Sequence, residues 1–488
     1  MDDHASKIAK GSLSVLISTI SILIVGVFYN PILVRLLGKS AYGDYATLLS
    51  VFGIATPVVT FGLFNSIRKH MGEYSDDKND VAGGGYMLSL IYSAISVLFG
   101  LSIVYLLDKI MFFSEESFYS LILIVLALSF FTLYDASRSV LYGIHKENVG
   151  ELMRVLKKLS ESVLALLLVY LGFGIPGIFF ASLIALSAIS LFGFLKVKNN
   201  IELGTKAIKK GYKKYRSAIF SFGGLTVVSM ILAEGLYHSD ILLTRFFLNS
   251  SKVGAYKASL VLAELLWMVP MAFQKVLLHH VSEMWNKKKS EDIIKFVNKI
   301  AKYTSMGMIL LGFGLWVLAD PFVKLYYDPS FEESVLPLRI LLFGSLGFGL
   351  ARILNPVIEG TGHIKKGITI SGFIVCLNIG LNILLIPIYG IIGAAIATGI
   401  SYFTKLIQYT YLLRKAKINV MKDFPWMKMI ILGALFLGLL YSSLYLPIPE
   451  RFHLIVIPPI GLILFGVLSR ALKLWDLKEL RNIVSLLR

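Results

Sequence analysis

The sequence predicts an all-α, polytopic membrane protein of about 14 transmembrane helices, with two six-helix lobes followed by two C-terminal helices. Three observations predict this fold class. Long apolar stretches recur along the chain, Lys and Arg are concentrated in every second gap between them, and the first half is repeated in the second. With 56% hydrophobic residues, 16% charged residues and a mean hydropathy of +0.74, the composition is typical of one bilayer protein rather than several soluble domains.

Each apolar stretch has about 20 residues or more, which is what an α-helix needs to cross a hydrocarbon core of about 30 Å. The first stretch is too long for a signal-peptide core and is expected to remain as the first span. We place predicted spans 1 to 14 at residues 11–34, 42–66, 84–107, 118–141, 155–174, 176–195, 217–237, 253–274, 303–323, 334–358, 367–386, 391–413, 427–447 and 452–471.

The distribution of basic residues predicts the orientation. With a cytoplasmic N-terminus, 37 of the 48 Lys and Arg residues belong to inner segments, seven lie outside or at outer span ends, and four lie within spans. Because cytoplasmic loops carry such an excess, we expect a multi-pass protein of the cytoplasmic membrane with both termini in the cytoplasm. The net charge of +18 follows from the same loops and from their attraction to anionic lipid, so no nucleic-acid partner is expected.

An internal repeat divides the chain. Segment 30–45 has a counterpart at 240–256, and segment 135–143 has one at 352–360. Since six spans separate the copies, both enter the membrane from the same side, as parallel repeats of transporters do. The predicted domains are an N-lobe with spans 1 to 6 at 1–200, a basic cytoplasmic linker at 201–216, a C-lobe with spans 7 to 12 at 217–418, and spans 13 and 14 at 419–488.

Matched polar residues in spans 4 and 10 predict a substrate site. Asp135 and Arg138 share one face of span 4, and Arg352 and Asn355 share a face of span 10. An ionised group near the bilayer centre costs about 2.5 to 3.5 kcal/mol, so such groups face a cavity or a partner. We expect a central polar cleft that binds substrate. The alternative is that Asp135 and Arg138 pair only with each other in a buried interface.

Two further arginines, Arg35 and Arg245, occupy equivalent positions near the outer ends of spans 1 and 7. They either line the cavity or extend to the outer lipid headgroups, and a third option is that Asp240 and Arg245 only cap a helix end. Pro31 is expected to kink span 1 and provide a hinge. Because guanidinium groups offer forked donors, the arginines of all four spans together suit a phosphate-bearing anion.

Acidic residues within spans are candidates for coupling transport to an ion. Glu234, Asp240 and Glu264 are predicted to bind a coupling cation or proton, although neighbouring hydroxyl groups or Lys257 could satisfy them instead. We expect Lys405 to lie at the solvated inner surface. We assign no metal site, no cofactor and no catalytic residue.

Three segments resemble a known family. Arg35 to Tyr45, Glu359 to Lys365 and Leu381 to Thr398 are similar to the polysaccharide transporter or oligosaccharide flippase (Wzx-like) family of the multidrug/oligosaccharidyl-lipid/polysaccharide (MOP) exporter superfamily. The resemblance implies a MATE-like fold and alternating access, without enzyme activity. It implies as cargo an oligosaccharide on a polyprenyl (di)phosphate. Expected partners are this cargo, membrane lipids and polysaccharide assembly proteins, and the chain is expected to act as a monomer.

Two rival functions stay open. A cation-coupled multidrug antiporter of the same superfamily usually has twelve spans and an acidic residue in span 1, whereas Asn30 stands in this span. A membrane glycosyltransferase or ligase would need carboxylates on a sizeable outer loop to activate an acceptor, and the predicted outer loops are short.

Overall fold

The computed structural model describes the backbone of residues 2–111, 115–447, 449 and 452–475, and in this part of the chain the regular structure is helical. In chain order the α-helices are α1 (Asp2–Thr60), α2 (Leu63–Glu73), α3 (Lys78–Met111), α4 (Glu115–Gly143), α5 (Glu147–Tyr170), α6 (Gly174–Lys198), α7 (Thr205–Phe247), α8 (Ser250–Glu264), α9 (Met268–Asn286), α10 (Ser290–Val317), α11 (Ala319–Tyr326), α12 (Val335–Gly360), α13 (Ile364–Tyr389), α14 (Ile391–Lys415), α15 (Trp426–Ser442) and α16 (His453–Ala471). Among the basic residues counted above, the side chains of seven lie outside the described residues: Lys7, Lys10, Lys275, Arg451, Lys478, Arg481 and Arg488.

Twelve helical segments of the described chain are long and apolar enough to cross a membrane. The first of them, Ser14–Glu73, has 60 residues, or about 90 Å at 1.5 Å per residue, so it contains two spans. Helix α5 is too rich in charged residues to be counted among the twelve, yet it coincides with predicted span 5. With these two additions the helices correspond to the fourteen predicted spans, and the all-α membrane fold class is confirmed.

The long helix α1 is interrupted at Gly38, where φ is 75° and ψ is 169°. Glycine adopts a positive φ at little cost because it has no Cβ atom. The helix runs through Pro31 without a break. The hinge predicted at Pro31 is therefore displaced by seven residues, to Gly38.

The chain forms two compact units, unit 1 (Met1–Gly254) and unit 2 (Ala255–Arg488). The core of unit 1 is built from α2, α3, α4, α6 and α7 and includes the fully buried Ile67 and Leu141. The core of unit 2 is built around α10, α12, α14 and α15 and includes the fully buried Leu354 and Phe436. Packing thus places α7 with unit 1. The boundary between residues 216 and 217 was predicted from the sequence repeat rather than from packing, and it stays a prediction.

The segment predicted as a basic linker is helical over most of its length. Residues 205–216 form the first turns of α7, which lie against the start of α3. Lys214 Nζ lies 2.5 Å from Asp77 Oδ2, and the Tyr215 hydroxyl donates to the same oxygen at 2.6 Å. These two hydrogen bonds lower the pKa of Asp77. The basic segment is therefore an extension of α7 rather than a separate connector.

Candidate functional site

A buried carboxylate connects three helices of unit 1. Glu151 of α5 has a side chain only 3% exposed, and its Oε2 accepts hydrogen bonds from Ser18 of α1 and from Arg154 Nη1, the latter at 2.7 Å. Its Oε1 accepts a hydrogen bond from the Tyr142 hydroxyl and lies 3.6 Å from Arg138 Nη2. Two guanidinium groups and two hydroxyls thus balance the charge of this carboxylate, which is what makes its burial tolerable. We call these five residues the unit 1 cluster.

Aromatic rings enclose Arg138, one of the residues predicted to line the cavity. Its guanidinium carbon lies 4.9 Å, 5.4 Å and 5.9 Å from the ring centres of Phe64, Tyr134 and Tyr142. Its Nε donates to the carbonyl oxygen of Gly150 at 3.3 Å. Cation–π contacts and hydrogen bonds therefore hold this side chain inside unit 1.

Asp135 lies near Arg138 but is not its ion-pair partner among the described residues. The residue is 7% exposed, and its carboxylate accepts a hydrogen bond from the backbone N–H of Phe64. The ion pair of Arg138 is instead with Glu151 of the neighbouring helix. The interface is therefore buried, as the alternative interpretation expected, but the pair that forms there is a different one.

A charged face of α5 was missed by the sequence analysis. Helix α5 begins at Glu147, so basic residues assigned to an inner loop lie within it. Glu151, Arg154, Lys158 and Glu161 follow one another at intervals of three or four residues, and Lys157 Nζ lies 2.9 Å from Glu161 Oε1. This interval places them on one helix face. The periodicity was readable from the sequence and could have revealed this face.

In unit 2, Arg352 of α12 contacts an amide and two aromatic rings. Its Nη1 donates to the side-chain oxygen of Gln274 at 3.3 Å, and the Gln274 amide donates to the carbonyl oxygen of Arg352 at 3.1 Å. The guanidinium carbon lies 5.3 Å from the ring centres of both Trp267 and Phe348. Amide and aromatic groups orient this guanidinium.

A second cation, Lys405 of α14, lies over the same aromatic ring. Its Nζ is 5.4 Å from the ring centre of Phe348 and 5.5 Å from that of Tyr409. No described carboxylate lies within ion-pair distance of this ammonium group. The sequence analysis placed Lys405 at the solvated inner surface, whereas its side chain is partly buried because α12 and α14 pack closely together.

Asn355, one turn after Arg352 on α12, is fixed by two hydrogen bonds. Its Oδ1 accepts from the Tyr409 hydroxyl at 3.2 Å, and its Nδ2 donates to Glu359 Oε1 at 2.6 Å. Tyr409 therefore links the predicted polar face of α12 to Lys405.

Stacked rings complete this arrangement. Phe348 and Tyr402 are stacked with ring centres 4.3 Å apart, and Trp267 lies 4.9 Å from Phe348. The two cations can bind a phosphate group. The flat aromatic rings beside them can pack against the apolar face of a sugar ring. We call the whole set the unit 2 cluster: Trp267, Phe348, Arg352, Tyr402, Lys405 and Tyr409.

The residues predicted near the outer surface have local roles in unit 1. Arg245 Nε lies 3.6 Å from Asp44 Oδ1, which also accepts a hydrogen bond from the Ser250 hydroxyl at 2.5 Å. Arg35 is exposed. Asp240 is 1% exposed, and its Oδ1 accepts from the backbone N–H of Ile241. The structure does not bring Arg35 or Arg245 into the unit 1 cluster.

Glu234 and Glu264, which were proposed for coupling together with Asp240, differ from each other in their surroundings. Glu234 lies 3.2 Å from the imidazole of His238 one turn later on α7. Glu264 ends α8 and is partly buried, and no ion pair joins it to Lys257 in the described part of the chain. Only Glu234 therefore has a titratable partner at contact distance.

Part of the chain matches a known protein family. A family model described as "Polysaccharide biosynthesis protein" matches residues 32–336. This range is more than half of the 488 residues. It includes Arg138 and Glu151 of the unit 1 cluster and ends before Arg352.

Similar proteins and structures agree with the fold. The probable low-salt glycan biosynthesis flippase Agl15 of Haloferax volcanii is 24% identical over 78% of both chains. A structure of the lipid II flippase MurJ in an inward closed conformation gives a TM-score of 0.76 at 17% identity, covering 93% of this chain and 97% of that one. An inward-facing multidrug resistance MATE family transporter gives a TM-score of 0.73 at 15% identity, covering 82% and 96%. The predicted MATE-like fold is confirmed.

Proposed function

Because the chain belongs to the polysaccharide biosynthesis protein family, we propose that it is a flippase for a lipid-linked oligosaccharide. The cargo is an oligosaccharide on a polyprenyl (di)phosphate, and the protein moves it from the cytoplasmic to the outer leaflet by alternating access. The names of Agl15 and MurJ, a glycan biosynthesis flippase and a lipid II flippase, support a cargo of this class. This cargo crosses without a change in its covalent bonds, so the function needs no catalytic residue.

The observation that carries the proposal is the positive charge of the unit 2 cluster. Arg352 and Lys405 both lie over Phe348, and Arg352 Nη1 also donates a hydrogen bond to the amide oxygen of Gln274. A diphosphate offers several acceptor oxygens and negative charge, which matches a guanidinium and an ammonium group side by side. The aromatic rings of the cluster suit the first sugar, and the amides of Gln274 and Asn355 suit its hydroxyl groups.

The membrane potential can drive this export. A lipid-linked diphosphate carries about two negative charges, and each releases about 2.3 kcal/mol on moving outward across an inside-negative potential of ~100 mV. The total of about 4 to 5 kcal/mol is enough to shift the distribution of the cargo strongly toward the outer leaflet without nucleotide hydrolysis. The prenyl chain stays in the lipid, so only the charged and sugar groups need a polar path through the protein.

A multidrug antiporter is the main rival, and the MATE-like fold is shared by both functions. The chemistry of the unit 2 cluster favours the flippase. Two cations over one ring repel a cationic drug, since like charges at this spacing raise its binding free energy.

For orientation we propose the cytoplasmic membrane with both termini in the cytoplasm, as the basic residues of the sequence indicate. We propose the lipid-linked cargo and membrane lipids as partners, together with polysaccharide assembly proteins that deliver or receive the cargo, and a monomer as the transporting form.

The test is a double substitution in unit 2. Arg352→Gln together with Lys405→Gln should lower the flipping rate at least about tenfold, because each charge-assisted hydrogen bond to a phosphate is worth about 1.5 to 3 kcal/mol. Flipping is measured in proteoliposomes with a fluorescent polyprenyl diphosphate disaccharide and an impermeant quencher outside.

The matched control is Arg339→Gln on the same helix. Arg339 also lies over a ring, 4.8 Å from the centre of Trp316, and its Nε donates to the Trp316 carbonyl oxygen. This variant should flip the probe at the wild-type rate. Wild-type flipping by the double variant would contradict the proposed role of the unit 2 cluster.

A further inference from the structure

A histidine and a glutamate lie within hydrogen-bond distance of each other in the apolar part of α7. Glu234 and His238 stand four residues apart, and His238 Nε2 lies 3.2 Å from Glu234 Oε2. The side chain of His238 is 16% exposed and that of Glu234 is 35% exposed. Ionisable residues within a membrane span are costly, and they are retained where a function requires them. The pair is not part of either cluster described above.

The hydrogen bonds around His238 determine where its protons lie. The Ser50 hydroxyl of α1 donates to the Ala46 carbonyl oxygen at 2.9 Å. A hydroxyl has a single proton, and that of Ser50 is used in this hydrogen bond. The Ser50 oxygen, which lies 3.1 Å from His238 Nδ1, therefore accepts a hydrogen bond from that nitrogen. Nδ1 therefore carries a hydrogen, and Nε2 is the nitrogen that gains or loses a proton next to Glu234.

Close packing keeps the imidazole in this position. A Cβ atom at Gly53 of α1 would lie 2.4 Å from His238 Nε2, so the imidazole in this position occupies the space that a side chain at position 53 would fill. The ring is held between Ser50 and Gly53 of α1 and Glu234 of its own helix. This contact makes the protonation state of the pair sensitive to how α7 lies on α1.

Few other ionisable groups of unit 1 face this pair. Residues 46–57 of α1 include no ionisable side chain, and the nearest on that helix are Asp44 and Tyr45. On α7 itself the neighbours are Tyr237 and Asp240, which stand one residue before and two residues after the imidazole.

The other two helices that pack on α7 contact it nearer its start. Ser66 of α2 donates to the Ile219 carbonyl oxygen, and Asp80 of α3 pairs with Lys210 in the first turns of α7. The ionisable residues that meet α7 there include Lys69 and His70 on α2, which lie against Phe222, and Asp77 just before α3, which pairs with Lys214.

We propose that His238 and Glu234 together bind the proton that couples transport. The proposal rests on the transport function proposed above and identifies its coupling ion. A proton from water bonds to the Nε2 lone pair, and the charge of the pair changes from −1 to 0. Release to water on the other side breaks the same N–H bond and restores the negative charge. Because a net charge in a span costs about 2.5 to 3.5 kcal/mol, proton binding changes which conformation of α7 is favoured.

The first experiment measures proton binding without any cargo. In the full-length protein in detergent, with 13C-labelled histidine, one ring resonance should change position when the solution is acidified and be missing in His238→Gln. Glu234→Gln should alter the pH dependence of this resonance. The control is Glu147→Gln, which removes the carboxylate beside the exposed His145, 3.9 Å away, and should leave the His238 resonance unchanged. A His238 resonance that is unaffected by Glu234→Gln would overturn the proposal.

The second experiment measures coupling in proteoliposomes with the fluorescent probe and zero membrane potential. With an outside-acid gradient of one pH unit, the wild type should change the leaflet ratio of the probe about tenfold, since this gradient is a tenfold ratio of proton activity. His238→Gln and Glu234→Gln should each change it less than twofold, and the double control His145→Gln with Glu147→Gln should behave like the wild type. If His238→Gln does not fold, Glu234→Gln alone tests the proton site, because this substitution keeps the size of the side chain.

The outcomes separate the two proposals. A gradient response that persists in both variants, or is absent from a wild type that flips the probe, would overturn the proton site. A wild type that flips no probe would contradict the proposed function, and the histidine titration then decides on the proton site alone.

Discussion

Individual charged residues of the two units are balanced in different ways. In unit 1, Glu151 accepts from Arg154 and pairs with Arg138, so this buried carboxylate has two cationic partners within the protein. In unit 2, Arg352 and Lys405 lie over Phe348 with an amide and aromatic rings beside them. Charged partners make the burial of a carboxylate tolerable, whereas two cations that share one ring concentrate positive charge at one place.

Replacing the buried carboxylate tests the structural role of the unit 1 cluster. Glu151→Gln should lower the free energy of unfolding by about 3 kcal/mol, because two guanidinium groups then face a neutral amide in a buried site. Unfolding is measured by steric trapping in bicelles.

The control for this prediction is Glu147→Gln, four residues earlier on α5. Its partner His145 is exposed, so the change should stay within about 0.5 kcal/mol. Equal stability of the Glu151 variant and the wild type would show that the cluster is not structural.

Among the helices, the repeated motif of the two halves has a direct packing role. Gly43 and Gly254 occupy equivalent positions in the two copies, and they meet in unit 1. A Cβ atom on Gly43 would lie 1.8 Å from the Ser250 carbonyl oxygen and 2.8 Å from the Gly254 nitrogen. Such backbone contact requires small residues, as is common between membrane helices. The repeat thus marks a place where two helices touch.

We expect Gly43→Ala to destabilise the protein by about 1 to 3 kcal/mol, because backbone atoms cannot move aside for the added methyl group. Gly72→Ala on α2 is the matched control, since nothing lies within 4 Å of a Cβ atom there. The control should be neutral or gain up to about 1 kcal/mol of helix propensity. Thermal unfolding in detergent compares both variants with the wild type, and equal effects of the two would contradict this packing role.

The whole chain belongs to the polysaccharide biosynthesis protein family, has a MATE-like fold and forms two compact units. Each unit has its own buried core and its own charged cluster. The net charge of +18 lies mostly in segments predicted to be cytoplasmic. Orientation is therefore a property of the whole chain that a single labelling experiment can test.

Cysteine labelling tests the orientation. In a Cys376→Ser background, Leu36→Cys should react with an impermeant maleimide added outside intact cells, and Lys206→Cys should react only after the membrane is opened. Both positions are exposed in the structure, as is Cys376 itself, which therefore has to be removed. The reverse pattern would overturn the proposed orientation.

Much of the fold could be predicted because it depends on local composition. Apolar length and the distribution of Lys and Arg are sufficient to locate spans, since bilayer thickness sets the length of each helix. The break in α1 was placed at Pro31 and lies at Gly38. Both residues disfavour a regular helix, and the break occurs at the glycine, where a φ of 75° costs little because there is no Cβ atom.

The candidate site was only partly predictable. Arg352 and Asn355 were identified as intramembrane polar residues, and the structure places them beside Lys405 and Tyr409. Lys405 was missed because its position near the end of a span resembles a solvated lysine. A sequence contains no information on which ring a lysine lies against when the two residues are 57 positions apart, as Phe348 and Lys405 are.

By itself, the sequence determined that this chain is a helical membrane protein with an internal repeat and with arginines where bilayer proteins rarely carry them. The physical reason is that hydrophobic length, charge distribution and repetition act through the bilayer and do not depend on which side chains meet. Only the tertiary structure decided that Arg138 pairs with Glu151, that Arg352 and Lys405 share a ring, and that His238 contacts Ser50 of α1. These outcomes depend on contacts of a few ångströms between side chains, and the packing of the helices sets those distances.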